Sequence, residues 1–408
     1  MIKTMFLYAL ICNPTIVKNV DIHHPDGRVQ SQVNIAFDKG KILSVGKNTP
    51  KLPDAKVIDA SGKILIPGII ESVSQLGLVE VGMVDSTNDY SLESDEPLHP
   101  SFDPSIAFNP LSTRIPINRR AGISHIIIAP RGGILSGMAR TAVLTGRLED
   151  RPKFRPVAAL FAKVGPRAAQ ALGGSRAILW DTLEEVVRDA RYAEKNARVL
   201  ARGEGRELII PPEDLSVVTR VLKRKIPMVV EAHQASDILN ALDFAKKHNI
   251  RLVINGGTEA WVVRGELSAA RVPVIVYPGQ TEPWGFEALA ARDDLAAMLH
   301  ASGVPVILSA GGWDQNARRL RQEAGIAVSY GLPRAAALAA LTSVPALTFG
   351  LEKELGMIKP GQPATFGLYS ADPFELSSTL DAFWIEGDRQ SLEDRQRALA
   401  KRYLDPQP

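Results

Sequence analysis

Seven histidines are the first place to look for metal or acid–base chemistry in this 408-residue chain. They are His23, His24, His99, His125, His233, His248 and His300, and no two of them form His-x-His. Only His233 falls at the end of an apolar, strand-like run, Met228–Ala232, and Glu231 stands two residues before it. Residues two apart in a strand share a face, so the pair is a candidate acid–base couple in which the carboxylate orients the imidazole and raises its basicity. The plainer alternative is a hydrogen-bonded histidine at a strand end. Glu231 and His233 are also donors for a divalent ion, but two ligands are too few for a tight transition-metal site.

Other residues carry weaker signals. Ser72 and Ser74 are nucleophile or pocket candidates if a base comes within reach, and otherwise small polar fillers. Asp314 is either an acid at the same site or the N-cap of a helix opening at Asn316. Asn255, Trp261 and Trp313 are candidates to line a pocket, with ordinary packing as the alternative for the aromatics. Gly132-Gly133 and Gly173-Gly174 read as turn formers before anion cradles.

The elements that would position these residues follow from hydropathy. Short strands with Gly, Asp and Asn punctuation fill Thr15 to Pro67. A polar insert from Asp85 to Pro116 is expected to lie over one end of the core. Strand-like runs then alternate with helical stretches: Ile64–Ile70, His125–Ala129, Val157–Ala162, Glu207–Ile210, Met228–Ala232, Leu252–Asn255, Pro273–Val276 and Pro305–Ser309. Eight buried strands separated by amphipathic helices predict an α/β fold, a parallel (β/α)8 TIM barrel. After a helical hairpin the chain returns to strands, so both chain ends build a small β-sandwich domain. The expected boundaries are 15–66 plus 350–388 for the β domain, 67–349 for the barrel and 389–408 for a charged C-terminal helix. No glycine-rich phosphate fingerprint follows the first strand, which counts against a dinucleotide fold.

Composition excludes several function classes. Forty-eight basic and 45 acidic residues leave a net charge of +3, which gives no reason to expect nucleic acid as a partner. Cys12, the single cysteine, excludes an internal disulfide and a Cys-based metal site. No apolar run approaches the roughly 18 residues of a membrane span. The opening MIKTMFLYALIC reads as a poor or truncated signal peptide, so a cytoplasmic location is favoured over export.

Three segments resemble the amidohydrolase superfamily, imidazolonepropionase-like branch. Val57-Ile-Asp-Ala-Ser-Gly-Lys-Ile-Leu-Ile-Pro-Gly68 is similar to the entry into its first barrel strand. Glu231-Ala-His-Gln-Ala-Ser-Asp-Ile238 and Leu252-Val-Ile-Asn-Gly-Gly-Thr-Glu-Ala260 are similar to its fifth and sixth strands. Leu355-Gly-Met-Ile-Lys-Pro-Gly-Gln-Pro-Ala364, ending at Ser370-Ala-Asp-Pro373, is similar to its return into the β domain. A subgroup of predicted amidohydrolases shares segments that stand here as Gly77–Val81, Asp85–Asp89 and Gly173–Arg176.

The resemblance implies one or two divalent metals at the C-terminal mouth of the barrel. Their ligands would be a His-x-His after the first strand, a Lys or Glu from the fourth, His from the fifth and sixth, and Asp from the eighth. In this chain those positions fall on Ser72 and Ser74, on Lys163 or Phe161, on Glu231 (or His233 with a two-residue shift), on Gly256, and near Gly311-Gly312. Hydroxyls and glycines do not replace such ligands, so no metal site is expected beyond a weakly held divalent ion such as zinc. The implied function is hydrolysis of non-peptide, cyclic amide-like C–N bonds, with His233 and Glu231 as catalytic candidates. The alternative is a pseudoenzyme that binds a small molecule or pairs with a metal-bearing paralogue, as a homodimer or heterodimer.

Overall fold

The computed structural model describes residues 14–91, 97–152, 155–311 and 316–404. The N-terminal signal-like stretch lies outside the described residues, as do Trp313 and Asp314. Strands β1 (Thr15–His23), β2 (Val29–Asp38), β3 (Lys41–Gly46), β4 (Lys56–Asp59) and β5 (Ile64–Pro67) open the chain. Then come β6 (Ile69–Ser74), β7 (Ile123–Ile128), β8 (Leu135–Val143) and β9 (Val157–Lys163). They are followed by β10 (Met228–Ala232), β11 (Leu252–Gly256), β12 (Val274–Val276) and β13 (Val306–Leu308). The last strands are β14 (Phe366–Tyr369), β15 (Leu380–Ile385) and β16 (Asp388–Arg389).

Strands β6 to β13 form one sheet in chain order, curled so that β13 lies against β6. Strands β1 to β5 and β14 to β16 form the second sheet, so both chain ends build it. The molecule is a mixed α/β barrel carrying a small β domain, as expected. Where one apolar run was expected, Ile64–Ile70, the chain divides it: β5 joins the second sheet and β6 the barrel, with Gly68 between. A Cβ at Gly68 would overlap Ser124 and Thr365, so only glycine lets the chain pass from one sheet to the other.

The barrel is not wholly parallel. Strand β8 runs antiparallel to both β7 and β9, while the β6–β7 pair and the run β9 to β13 are parallel. The expected strand at Glu207–Ile210 does not form. The physical reason is that β8 and β10 already pair with the two edges of β9, leaving no free edge there. The Ile209 backbone N–H instead donates to Asp189, at 2.8 Å.

Alternation along the barrel strands sorts two cores. Val73, Ile127, Ala159, Phe161, Val229, Val253, Ile275 and Ile307 fill the barrel interior. Their neighbours, such as Leu160, Val230, Leu252 and Ile254, pack outward against the helices, including Arg176–Lys195, Pro212–Leu222 and Ala235–His248. In the β domain Phe37, Phe366 and Trp384 meet edge-on or tilted at 5.3–5.8 Å. The C-terminal helix spans Arg395–Leu404, with no buried residue.

Candidate functional site at the barrel mouth

Two residues on from the last inward apolar residue of β9 to β12, the chain presents polar groups. Lys163 follows Phe161, Glu231 follows Val229, Asn255 follows Val253 and Tyr277 follows Ile275. Parallel pairing sets Lys163 beside Glu231, and Glu231 beside Asn255. A row of functional groups therefore crosses the C-terminal ends of three adjacent strands, where barrel chemistry is placed.

These residues line a cavity of about 1090 Å³, together with Arg131, Arg167, His233, Gly256, Thr258, Gln280, Trp284 and Gly311. Lys163 Nζ pairs with Glu231 Oε1 at 2.9 Å. Burial works against the charge on Glu231, but Lys163, then His233 and Arg131, outweigh it and hold the carboxyl below the ordinary glutamate range. His233 Nδ1 is 2.8 Å from Thr258 Oγ1. Burial, followed by the Lys163 and Arg167 cations, lowers the His233 pKa, and Glu231 only partly opposes this. The imidazole is therefore neutral at neutral pH. Its ring meets the Trp284 indole edge-on, 5.0 Å between centroids. Tyr277 donates its hydroxyl proton to Asn255 Oδ1, and burial raises the phenol's pKa.

Two glycines decide how the mouth is filled. Gly256, at φ +91°, has the His233 ring where a Cβ would stand. Gly311, at φ +94°, has the Gln280 amide in the corresponding place. The Gln280 loop is fixed from behind, where the Gly279 backbone N–H donates to the buried Glu323 carboxylate at 2.6 Å. Side chains from neighbouring loops thus occupy the space at both glycine positions.

Where β6 meets β13 the mouth is sealed. No backbone pair joins these strands among the described residues, and the Glu71 side chain bridges them instead. It accepts from Ser309 Oγ at 2.6 Å, from the Ala310 N–H at 3.0 Å and from the Val73 N–H at 3.1 Å. Burial pushes the Glu71 carboxyl up from 4.5 to about 7, although those hydrogen bonds favour its ionised form. This bridging role of Glu71 carried no local signal in the sequence.

The expected site residues divide accordingly. His233, Glu231, Asn255, Gly256 and Gly311 share the cavity with Lys163 and Phe161. Ser72 and Ser74 are buried and do not line it. The Ser72 hydroxyl has no hydrogen-bond partner, while Ser74 Oγ accepts from the Leu76 N–H at 3.2 Å. Trp261 also stands outside the cavity; its indole N–H donates to Ala290 O at 3.1 Å and its ring carries Arg292 at 5.2 Å. Sequence reasoning missed Arg167, Tyr277, Gln280 and Trp284, which reach the cavity from irregular segments or from a strand end lacking any motif. Among the described residues no three His, Cys, Asp or Glu side chains are grouped to hold a metal ion. Nor is any helix among them long and apolar enough to cross a membrane.

A barrel of this build, with charged and hydrogen-bonding groups at the strand C-termini, has the architecture in which barrel enzymes place their sites. No protein-family model matches the chain. A curated relative, amidohydrolase tasK of Hapsidospora irregularis, is 24% identical over 393 residues, 88% of this chain. The match spans 40% of the relative's length. Among solved structures, an amidohydrolase from Thermotoga maritima superposes with a TM-score of 0.82 at 26% identity, covering 92% of this chain and 99% of that one. Phenylurea hydrolase B and molinate hydrolase share the fold at TM-scores of 0.59 and 0.56, with 13% and 16% identity. They cover 97% and 95% of their own lengths and 93% of this chain in both cases. The curated relative and the Thermotoga structure support the amidohydrolase superfamily for this chain.

Proposed function

We propose that the chain hydrolyses non-peptide, cyclic amide-like C–N bonds through acid–base chemistry at His233 and Glu231, without a tightly held transition metal. The observation that carries this is the His233 ring lying over Gly256, fixed through Nδ1 by Thr258. With the proton on Nδ1, Nε2 is the basic nitrogen of the ring. In this reading water attacks the carbonyl carbon as His233 Nε2 takes its proton. Lys163 is the nearby cation for the developing oxyanion, and the imidazolium returns the proton to the leaving nitrogen. Glu231 stabilises that imidazolium.

The donor set argues against the family's metal centre. Gly256 and Gly311 offer no side-chain donor, Lys163 already holds Glu231, and His233 and Gln280 fill the spaces beside the glycines. A lone general base typically contributes roughly 10²–10⁴-fold, so the substrate would carry an activated C–N bond. The test is turnover of a panel of cyclic amides and ureas, paired with elemental analysis of protein purified with zinc available. Activity that survives chelator and falls at least about 100-fold in His233→Ala is expected. About one metal equivalent per chain, lost in the Glu231→Ala/His233→Ala double variant, would overturn the reading.

A second reading is favoured by the Lys163–Glu231 ion pair, which engages the carboxylate and leaves the neutral His233 imidazole to act without it. On it the barrel is a binding scaffold, or a partner subunit for a metal-bearing paralogue. Ligand binding with no turnover across the panel is its expected outcome.

A further inference from the structure

The cavity wall carries a cation that the row of strand-end residues does not use. Lys163 is matched by Glu231. Arg167, in the short helix Pro166–Ala169 just after β9, stands differently. Its guanidinium lies over the Trp284 indole, 5.4 Å from the centroid, and makes no ion pair among the described residues. Glu287 accepts from the Arg167 backbone N–H and feels the guanidinium's charge, but the two side chains form no ion pair. The other acids lining the cavity, Glu282 and Asp293, are exposed on later loops. Trp284 joins this arginine to the reactive end of the cavity, since the same indole touches the His233 ring at 5.0 Å.

A guanidinium presents its donors as a planar fork that matches a carboxylate in two parallel hydrogen bonds. Held against an indole, it loses less freedom on binding than a loose surface arginine. We propose that the cavity takes a ligand bearing a carboxylate, gripped by Arg167 beside Trp284, with its amide-like group a few bonds away at His233. This rests on the same cavity being the ligand site and narrows the substrate class to acidic amides.

The test is calorimetric binding of N-benzoylglycine and of its neutral twin, N-benzoylglycinamide, to the full chain. The acid is expected to bind at least about tenfold tighter, the scale of one charge-assisted contact. Arg167→Gln should remove that preference by weakening the acid at least about tenfold more than the amide, and Arg167→Lys should restore part of it. Because Arg167 is exposed, the variants are expected to fold, and a matching thermal melt verifies this. Equal affinities, no measurable binding of the acid, or a preference that persists in Arg167→Gln would each overturn the proposal. Binding of the acid without turnover supports it and defeats only the catalytic reading; turnover of neutral amides without an acid preference defeats only the carboxylate grip.

Discussion

Where β13 meets β6, the carboxylate of Glu71 is buried at 1% exposure and satisfied by donors from two strands. Across the mouth, on β9 to β11, the carboxylate of Glu231 is half-buried, paired with Lys163 and open to the cavity. Glu231 is the fourth of five residues in β10, and Glu71 the third of six in β6. Glu71 is enclosed by backbone N–H groups and a serine, with no cation, so burial dominates and its pKa rises. Glu231 meets a lysine, so its pKa falls despite burial. The contrast shows that strand position supplies a place for chemistry, while the neighbouring strand decides whether that place becomes a seal or a site.

The comparison breaks most severely at the seal. Glu71→Ala leaves the Ser309 hydroxyl and the Ala310 and Val73 N–H groups without their acceptor in a dry interior, and about 3–5 kcal/mol of stability should be lost in urea titration. Glu231→Ala, with Lys163 half-exposed and able to reach water, should cost no more than about 1 kcal/mol while abolishing ligand binding or turnover. A seal and a site that respond alike would end the distinction.

The two acids should also respond to pH with opposite sign. Glu71 has a folded pKa of about 7 against 4.5 unfolded, so the folded state holds its proton more tightly. Its contribution is complete below the unfolded value and is lost as pH rises through the folded one, by about 3 kcal/mol in all. Glu231 has a depressed folded pKa, so its contribution is present above the unfolded value and is lost as pH falls. Stability curves for Glu71→Gln should be flatter between those two pH values than for the parent; unchanged curves would remove the seal's assigned role.

Gly256→Ala sharpens the comparison at intermediate cost. The methyl group would overlap the His233 ring, and φ +91° disfavours any side chain. We expect a loss of about 1–3 kcal/mol, with a displaced imidazole read as a changed His233 titration by NMR. The smallest effect belongs to Trp261→Phe, which removes the hydrogen bond to Ala290 O and leaves a phenyl ring under Arg292. It should cost about 1 kcal/mol and leave ligand affinity as it was.

Much of the barrel was legible because a strand buried on both faces leaves a run of apolar residues in the sequence. Seven of the eight expected runs contribute strands to the barrel sheet, and the pairing of Glu231 with His233 in one mouth followed from their spacing. Strand β8 left no such trace. Its Ser136, Gly137 and Arg140 interrupt the apolar pattern, and Arg140 is satisfied by the Asp103 carboxylate, at 2.7 Å, and by the Arg155 carbonyl. The apolar segment at Glu207–Ile210 carried the pattern of a strand but found no edge to join.

What the sequence determined by itself is the inward face of each strand, because side-chain alternation is a local property with a period of two. It thereby fixed that Lys163, Glu231 and Asn255 would share one side of their strands. Only the tertiary structure decided that Glu71 would close the barrel onto Ser309, 238 residues away. It alone put His233 and Gln280 over two glycines, and Arg167 against Trp284. These outcomes depend on which loops meet above the strand ends and on what fills the room that a missing Cβ leaves. Both are set by packing between residues far apart in the chain, and local periodicity carries no record of them.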